Sequence, residues 1–189
     1  KKGYTGNNDD GVLSNVTYEL YKYEGNDEKP VYTEGASDWK KITNQTTTAG
    51  DNTGDALSLI TDKDGKISIE GLTKGTYCFV EQSAKVKQDG KEYDSAYIVD
   101  KEPIYFTVKA DGSYTSANKS AVDNALEAKN HKPDVEKKVG MKDASGNINY
   151  GKKADYSIGD YVPYQVTITI PQNIEKLDTF VVTDTPTNL

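Results

Sequence analysis

The sequence predicts an all-β protein built as successive β-sandwich units, and three observations carry that expectation. Apolar and polar residues alternate in one stretch after another, the period of a half-buried strand. Gly, Asn and Asp punctuate those stretches, as tight turns require. Tyrosine supplies the bulk, with 14 Tyr against 3 Phe and 1 Trp. A Tyr ring packs while its hydroxyl stays wet, which suits thin sandwiches with little deep core. The 189 residues suffice for two units of immunoglobulin size.

The elements follow in order. In residues 13–23, Val16, Tyr18 and Leu20 alternate with Thr17 and Glu19, so this segment reads as a strand. Residues 24–56 are a polar excursion with short strands at best and Trp39 as its apolar anchor. Residues 57–61 and 66–70 read as a hairpin closed by Asp62, Lys63, Asp64 and Gly65. Residues 71–75 turn again, and residues 76–82 form a strong strand carrying Cys78. A charged loop at 85–95 precedes strands at 97–99 and 104–108, then a turn at Asp111 and Gly112. In residues 117–129, Ala121, Ala125 and Ala128 fit one face of a short helix, and an irregular strand fits equally well. The run Asn130, His131, Lys132, Pro133 breaks what precedes it. A boundary placed there gives residues 1–131 as a first unit with a long insertion at 24–56. Residues 132–189 are then the start of a second unit. That second unit has an opening strand with Val135 and Val139, a loop at 142–155, and strands at 161–170 and 180–183. A sandwich of this kind needs about seven strands, so the second unit reads as incomplete and the chain as part of a longer protein.

Composition excludes several function classes. The net charge is −7 and every basic residue other than His131 is Lys. Without clustered Lys and Arg there is no footprint for nucleic acid. Cys78 is the single cysteine, so no intrachain disulfide forms, and its place in a strand marks it as a small buried hydrophobe. No apolar run reaches membrane-spanning length, so this region is not expected to be membrane-embedded, and any export signal lies outside it. The Asp62 turn lacks calcium-loop spacing, since its twelfth position is Thr73. His131 has no second His for zinc. Neither a metal, a cofactor nor an enzymatic constellation is expected.

Several segments resemble a known family. Val12 to Lys22 is similar to the first strand of collagen-adhesin B-type (Cna B-type) domains. Residues 61–67 followed by 71–81 resemble the stretch of that family ending in its conserved glutamate, here Glu81. Residues 132–139, 159–166 and 180–185 resemble the next domain of sortase-assembled Gram-positive backbone pilins. The resemblance implies tandem immunoglobulin-like (Cna B-type) β-sandwiches, an extracellular pilin on the cell wall, and neighbouring pilin subunits as partners through sortase. An adhesin holding a host protein or glycan is the alternative, with residues 24–56 and Trp39 as its natural contact. Lys129-Asn130 stands where such pilins carry a Tyr-Pro-Lys-Asn motif whose lysine is joined to the next subunit; here the Tyr-Pro is replaced by Glu127-Ala128.

The same resemblance implies an autocatalytic isopeptide bond, in which a lysine displaces ammonia from an asparagine amide beside a carboxylic acid. The lysine must be neutral to attack, and burial lowers a lysine's pKa. The acid must hold a proton, and burial raises a carboxyl's. For the first unit the implied residues are Glu81 as acid, Lys1 or Lys2 as nucleophile, with Lys2 preferred, and Asn130 as amide. For the second they are Lys137 or Lys138 as nucleophile and Asp184, or else Asp178, as acid.

Overall fold

The computed structural model describes residues 1–5, 8–43, 46–47, 57, 59–88, 90–122, 125–170, 174 and 179–185. Among them there is no α-helix, and the regular elements are strands. In chain order these are β1 (Lys2–Thr5), β2 (Asn8–Val12), β3 (Val16–Tyr23), β4 (Trp39–Lys41), β5 (Thr46–Thr47) and β6 (Leu59–Ile60). Next come β7 (Ile69–Glu70), β8 (Gly75–Gln88), β9 (Lys91–Asp94), β10 (Ile104–Val108), β11 (Tyr114–Ser116) and β12 (Ala121–Val122). The last are β13 (Ala125–Leu126), β14 (Lys129–Lys132), β15 (Asp134–Lys142), β16 (Ile148–Gly151) and β17 (Tyr164–Thr169).

The main sheet has the order β11-β10-β8-β3-β4, with β6 also on β3 and β9 on β8. Directly opposed residues share a face, so register decides what meets in the interior. Tyr18 opposes Glu81, Leu20 opposes Phe79, and Phe79 opposes Ile104 across β3, β8 and β10. Tyr77 and Phe106 stack at 5.4 Å, and Phe79 and Phe106 at 5.2 Å. Val16, Tyr18, Leu20, Leu59, Tyr77, Ala84, Ile104, Phe106 and Val108 are buried together with Ala128. The register of β3 on β8 slips between Thr17 and Tyr18. Such irregularities re-aim side chains, and this one lies beside the Tyr18–Glu81 pair.

A second sheet has the order β14-β1-β2, with β1 parallel to β14 and antiparallel to β2. Gly3 opposes Asn130 and Lys2 opposes Lys129. Ala128, just before β14, joins the main core, and Ile67, Ile69 and Leu72, on and around β7, pack against that core.

The structure corrects several boundaries. The segments around the Asp62–Gly65 turn do not pair with each other: β6 pairs with β3, and β7 pairs with β5. The turn itself forms, with Gly65 at φ +69° and its amide donating to the Asp62 carbonyl. It hands the chain from one sheet to other partners, because Leu59 gains burial on β3. The charged loop at 85–95 is the end of β8 and the arm β9, a hairpin in which Lys85 pairs with Asp94. Residues 97–99 form no strand; the Ile98 amide donates to the His131 carbonyl instead. Residues 117–129 hold the short strands β12 and β13 in place of a helix. The loop 142–155 contains β16, and residues 180–183 join no strand. Strands β1 and β2 were not legible, because Lys, Gly, Asn and Asp dominate residues 1–12 and hide any alternation.

Strands β15, β16 and β17 form a separate antiparallel sheet of order β16-β15-β17, and among the described residues they pair with none of the earlier strands. Val135 opposes Ile168, Lys137 opposes Val166, and Val139 opposes Tyr164 on one face. Val135, Tyr164, Val166 and Ile168 are all exposed on it.

Candidate functional site

A lysine, a glutamate and an asparagine stand in mutual reach where the β14-β1-β2 sheet meets the main sheet. Side chains alternate along a strand, so neighbours in sequence point to opposite faces. Gly3 is buried opposite Asn130, and Lys1, two residues before Gly3, points inward as well. Lys2 points outward with Lys129. Its ammonium lies 3.1 Å from Asp9, on a side chain 39% exposed, outside the cluster. Of the two lysines considered for this position, the geometry brings Lys1 to Glu81 and leaves Lys2 at the surface.

The Lys1 ammonium donates to Glu81 Oε2 at 2.6 Å, with the two side chains 2% and 1% exposed. Asn130 is fully buried, and its Nδ2 donates to Glu81 Oε1 at 2.5 Å. The Tyr18 hydroxyl donates to Oε2 at 3.1 Å, and Lys1 Nζ lies 5.6 Å from the centre of the Tyr18 ring. Each carboxylate oxygen therefore faces one of the two nitrogens. Burial pushes the Lys1 ammonium below its ordinary value of 10.5, against the opposing pull of Glu81. Burial first, then the neighbouring Glu81, pushes the Tyr18 phenol well above its ordinary value. Asn130 Oδ1 is buried and has no hydrogen-bond partner. Such an orphan costs roughly 1–3 kcal/mol, a cost that functional sites retain and cores remove.

Local backbone geometry holds the cluster. The Lys1 carbonyl accepts from the Leu13 amide at 3.0 Å, and the Lys2 amide donates to the Ala128 carbonyl at 2.9 Å. The Asp62–Gly65 turn packs on Lys1: a Cβ on Gly65 would sit 2.7 Å from the Lys1 carbonyl oxygen. The positive φ and this close approach both require glycine.

The other expected residues lie elsewhere. Lys129 is 48% exposed, 3.1 Å from Glu127 and 5.2 Å from the Tyr4 ring centre. Lys137 meets both oxygens of Asp184 at 2.7 and 2.9 Å, with Nζ 4.4 Å from the centre of the Tyr164 ring. Those side chains are 35% and 59% exposed. Lys138 turns to Glu136 at 3.0 Å. Asp178 lies outside the described residues. Trp39 is buried against Tyr23, Tyr32 and Tyr105, and its indole donates to the Val31 carbonyl. It pins residues 31–39 onto the outer face of the main sheet, so it is an anchor for that loop and not an exposed contact. Cys78 is buried on the same sheet, and burial pushes its thiol up to about 12.

Sequence reasoning missed the hydroxyl of Tyr18. Alternation marked Tyr18 as inward-facing, and its position opposite Glu81 depends on the slipped register of β3 on β8. The family model described as "SpaA: Prealbumin-like fold domain" matches residues 4–121. No curated protein and no solved structure matches the chain significantly.

Proposed function

The chain belongs to the SpaA prealbumin-like fold family, a structural, non-enzymatic domain type of pilin- and adhesin-like surface proteins; from that premise we propose that it is a backbone-type pilus subunit on a Gram-positive cell surface, braced by a Lys1–Asn130 isopeptide bond. The observation that carries this reading is Glu81 held in the dry interior, with Lys1 on one oxygen and Asn130 on the other.

The chemistry follows from the contacts. Transfer of a proton from Lys1 to Glu81 leaves two neutral groups, the favoured state where an ion pair is costly to bury. The freed amine lone pair attacks Cγ of Asn130. A half-turn of the amide brings its orphaned Oδ1 to Oε1, at a separation suited to an O–H···O bond. The Glu81 proton then polarises the carbonyl. One C–N bond forms, the Cγ–Nδ2 bond breaks, and the nitrogen leaves as ammonia carrying the proton shed by the amine. The reaction turns over once and consumes its own side chains, so the protein is substrate and catalyst together.

The bond closes residues 1–130 into a covalent ring. In the chain-entropy account, a link spanning a loop of that order stabilises by about 5 kcal/mol. Glu81→Gln keeps the shape and removes the acid. The native chain is expected to weigh one ammonia less than its sequence, and Glu81→Gln to keep the full sequence mass. Identical masses for the two proteins would end this reading, allowing for the substitution itself.

Lys129, exposed beside Asn130, is proposed as the lysine that sortase joins to the next subunit. Lys129→Ala is expected to abolish ladders in a sortase assembly assay; unchanged ladders would acquit it. Lys137 and Asp184 are proposed as the matching pair of a second unit that begins near residue 132.

A further inference from the structure

We infer that Tyr18 is a positioning residue of the self-cross-linking reaction: its hydroxyl selects which oxygen of Glu81 carries the proton. This inference rests on the isopeptide reading above. When Lys1 has given up a proton, the Glu81 carboxyl has two places to hold it. A proton on Oε2 would hydrogen-bond to the neutral Lys1 amine, 2.6 Å away, and occupy the lone pair needed for attack. A proton on Oε1 faces Asn130, 2.5 Å away, and leaves that lone pair free. The Tyr18 hydroxyl donates to Oε2 at 3.1 Å. Once the Asn130 amide has made its half-turn, Oε1 no longer accepts from Nδ2 while Oε2 still accepts from Tyr18. An oxygen already accepting a hydrogen bond is the poorer site for the acid proton, because a carboxyl's carbonyl oxygen accepts and its hydroxyl oxygen donates. Tyr18 thereby makes Oε2 the carbonyl oxygen and sends the proton to Oε1.

The surroundings preserve this choice. Burial and the neighbouring Glu81 both oppose ionisation of the Tyr18 phenol, which keeps its hydroxyl a donor. The Lys1 ammonium lies near the Tyr18 ring, so the ring also covers the amine from one side. Tyr18 sits on β3 directly opposite Glu81, and its ring forms an edge contact with Phe79 at 6.1 Å. Replacing the phenol by Phe keeps the ring in that packing and removes only the donor.

The test follows ammonia loss by intact mass in pulse-labelled chains sampled after synthesis. Wild type, Tyr18→Phe, and chains carrying 4-aminophenylalanine or O-methyltyrosine at position 18 are compared. Tyr18→Phe is expected to cross-link about fivefold more slowly, the factor carried by one hydrogen bond of ordinary net strength. 4-Aminophenylalanine, which keeps a donor, is expected to recover most of the rate, and O-methyltyrosine, which has none, is not. A role in packing alone would leave Phe near wild type and give no advantage to the amino variant. Equal rates for Tyr and Phe in a wild type that does lose ammonia would overturn the role of Tyr18 alone. A wild type that never loses ammonia would overturn the isopeptide reading and this inference with it.

Discussion

Two lysine–carboxylate pairs sit in this chain at nearly the same separation and in opposite surroundings. Lys1 and Glu81 meet at 2.6 Å with side chains almost completely hidden; Lys137 and Asp184 meet at 2.7 Å with much of both in water. The first pair lies where two sheets meet, under the turn at Gly65 and beside the Tyr18 ring. The second lies on one face of the β15–β17 sheet, among apolar residues that remain exposed. Chemically the pairs are alike, and solvent separates them. Water stabilises an ammonium and a carboxylate and keeps the amine from attacking; a dry core penalises both charges and favours the neutral pair. Reactivity in such a cluster is thus a property of the layer that covers it.

The largest expected effect breaks the dry pair. Lys1→Ala removes the nucleophile and with it the cross-link, which in the chain-entropy account is worth about 5 kcal/mol. Urea unfolding followed by fluorescence is expected to show a fall of that order. A midpoint within error of wild type would contradict the cross-link.

A smaller effect concerns pH. The Lys1 ammonium is held below 10.5 by desolvation. In the window between that lowered value and 10.5, the folded chain binds fewer protons than the unfolded chain. Stability of an uncross-linked Asn130→Ala protein is therefore expected to rise with pH through that window and to lose the contribution as pH falls through the lowered value. The reactive pair holds one proton in all, on Glu81 and not on Lys1, so the cross-linking rate of the native sequence is expected to fall as pH rises through the lowered Lys1 value and that proton is lost. A rate still climbing through that window would mean that Glu81 need not carry a proton. The smallest effect belongs to the wet pair: Lys137→Ala is expected to change stability by less than about 1 kcal/mol. A loss approaching that of Lys1→Ala would erase the contrast.

Much of this was readable before any coordinates. The resemblance to Cna B-type domains pointed to Glu81 and Asn130, which no pattern of their own would have marked. The strands β3, β8 and β17 show themselves by alternation. The choice between Lys1 and Lys2 was not readable, because it turns on the parity of β1, whose polar residues carry no pattern. The partners of β6 and β7 were hidden for a related reason: a tight turn signals a reversal of the chain but does not say which sheet receives it. Trp39 drew attention as the one strong apolar anchor of a polar stretch, and the tyrosines that bury it come from β3, β10 and the loop itself. Tyr18 was visible as an inward residue, but its hydrogen bond depended on a register slip.

The central claim is that Lys1, Glu81 and Asn130 react. Its most direct test is proteolysis of the purified native chain followed by tandem mass spectrometry. The account predicts a branched peptide joining the Lys1 side chain to the Asn130 side chain, lighter than its two linear parts by one ammonia and missing from Glu81→Gln. Recovery of the Lys1 and Asn130 peptides only in linear form, at full mass, would contradict it.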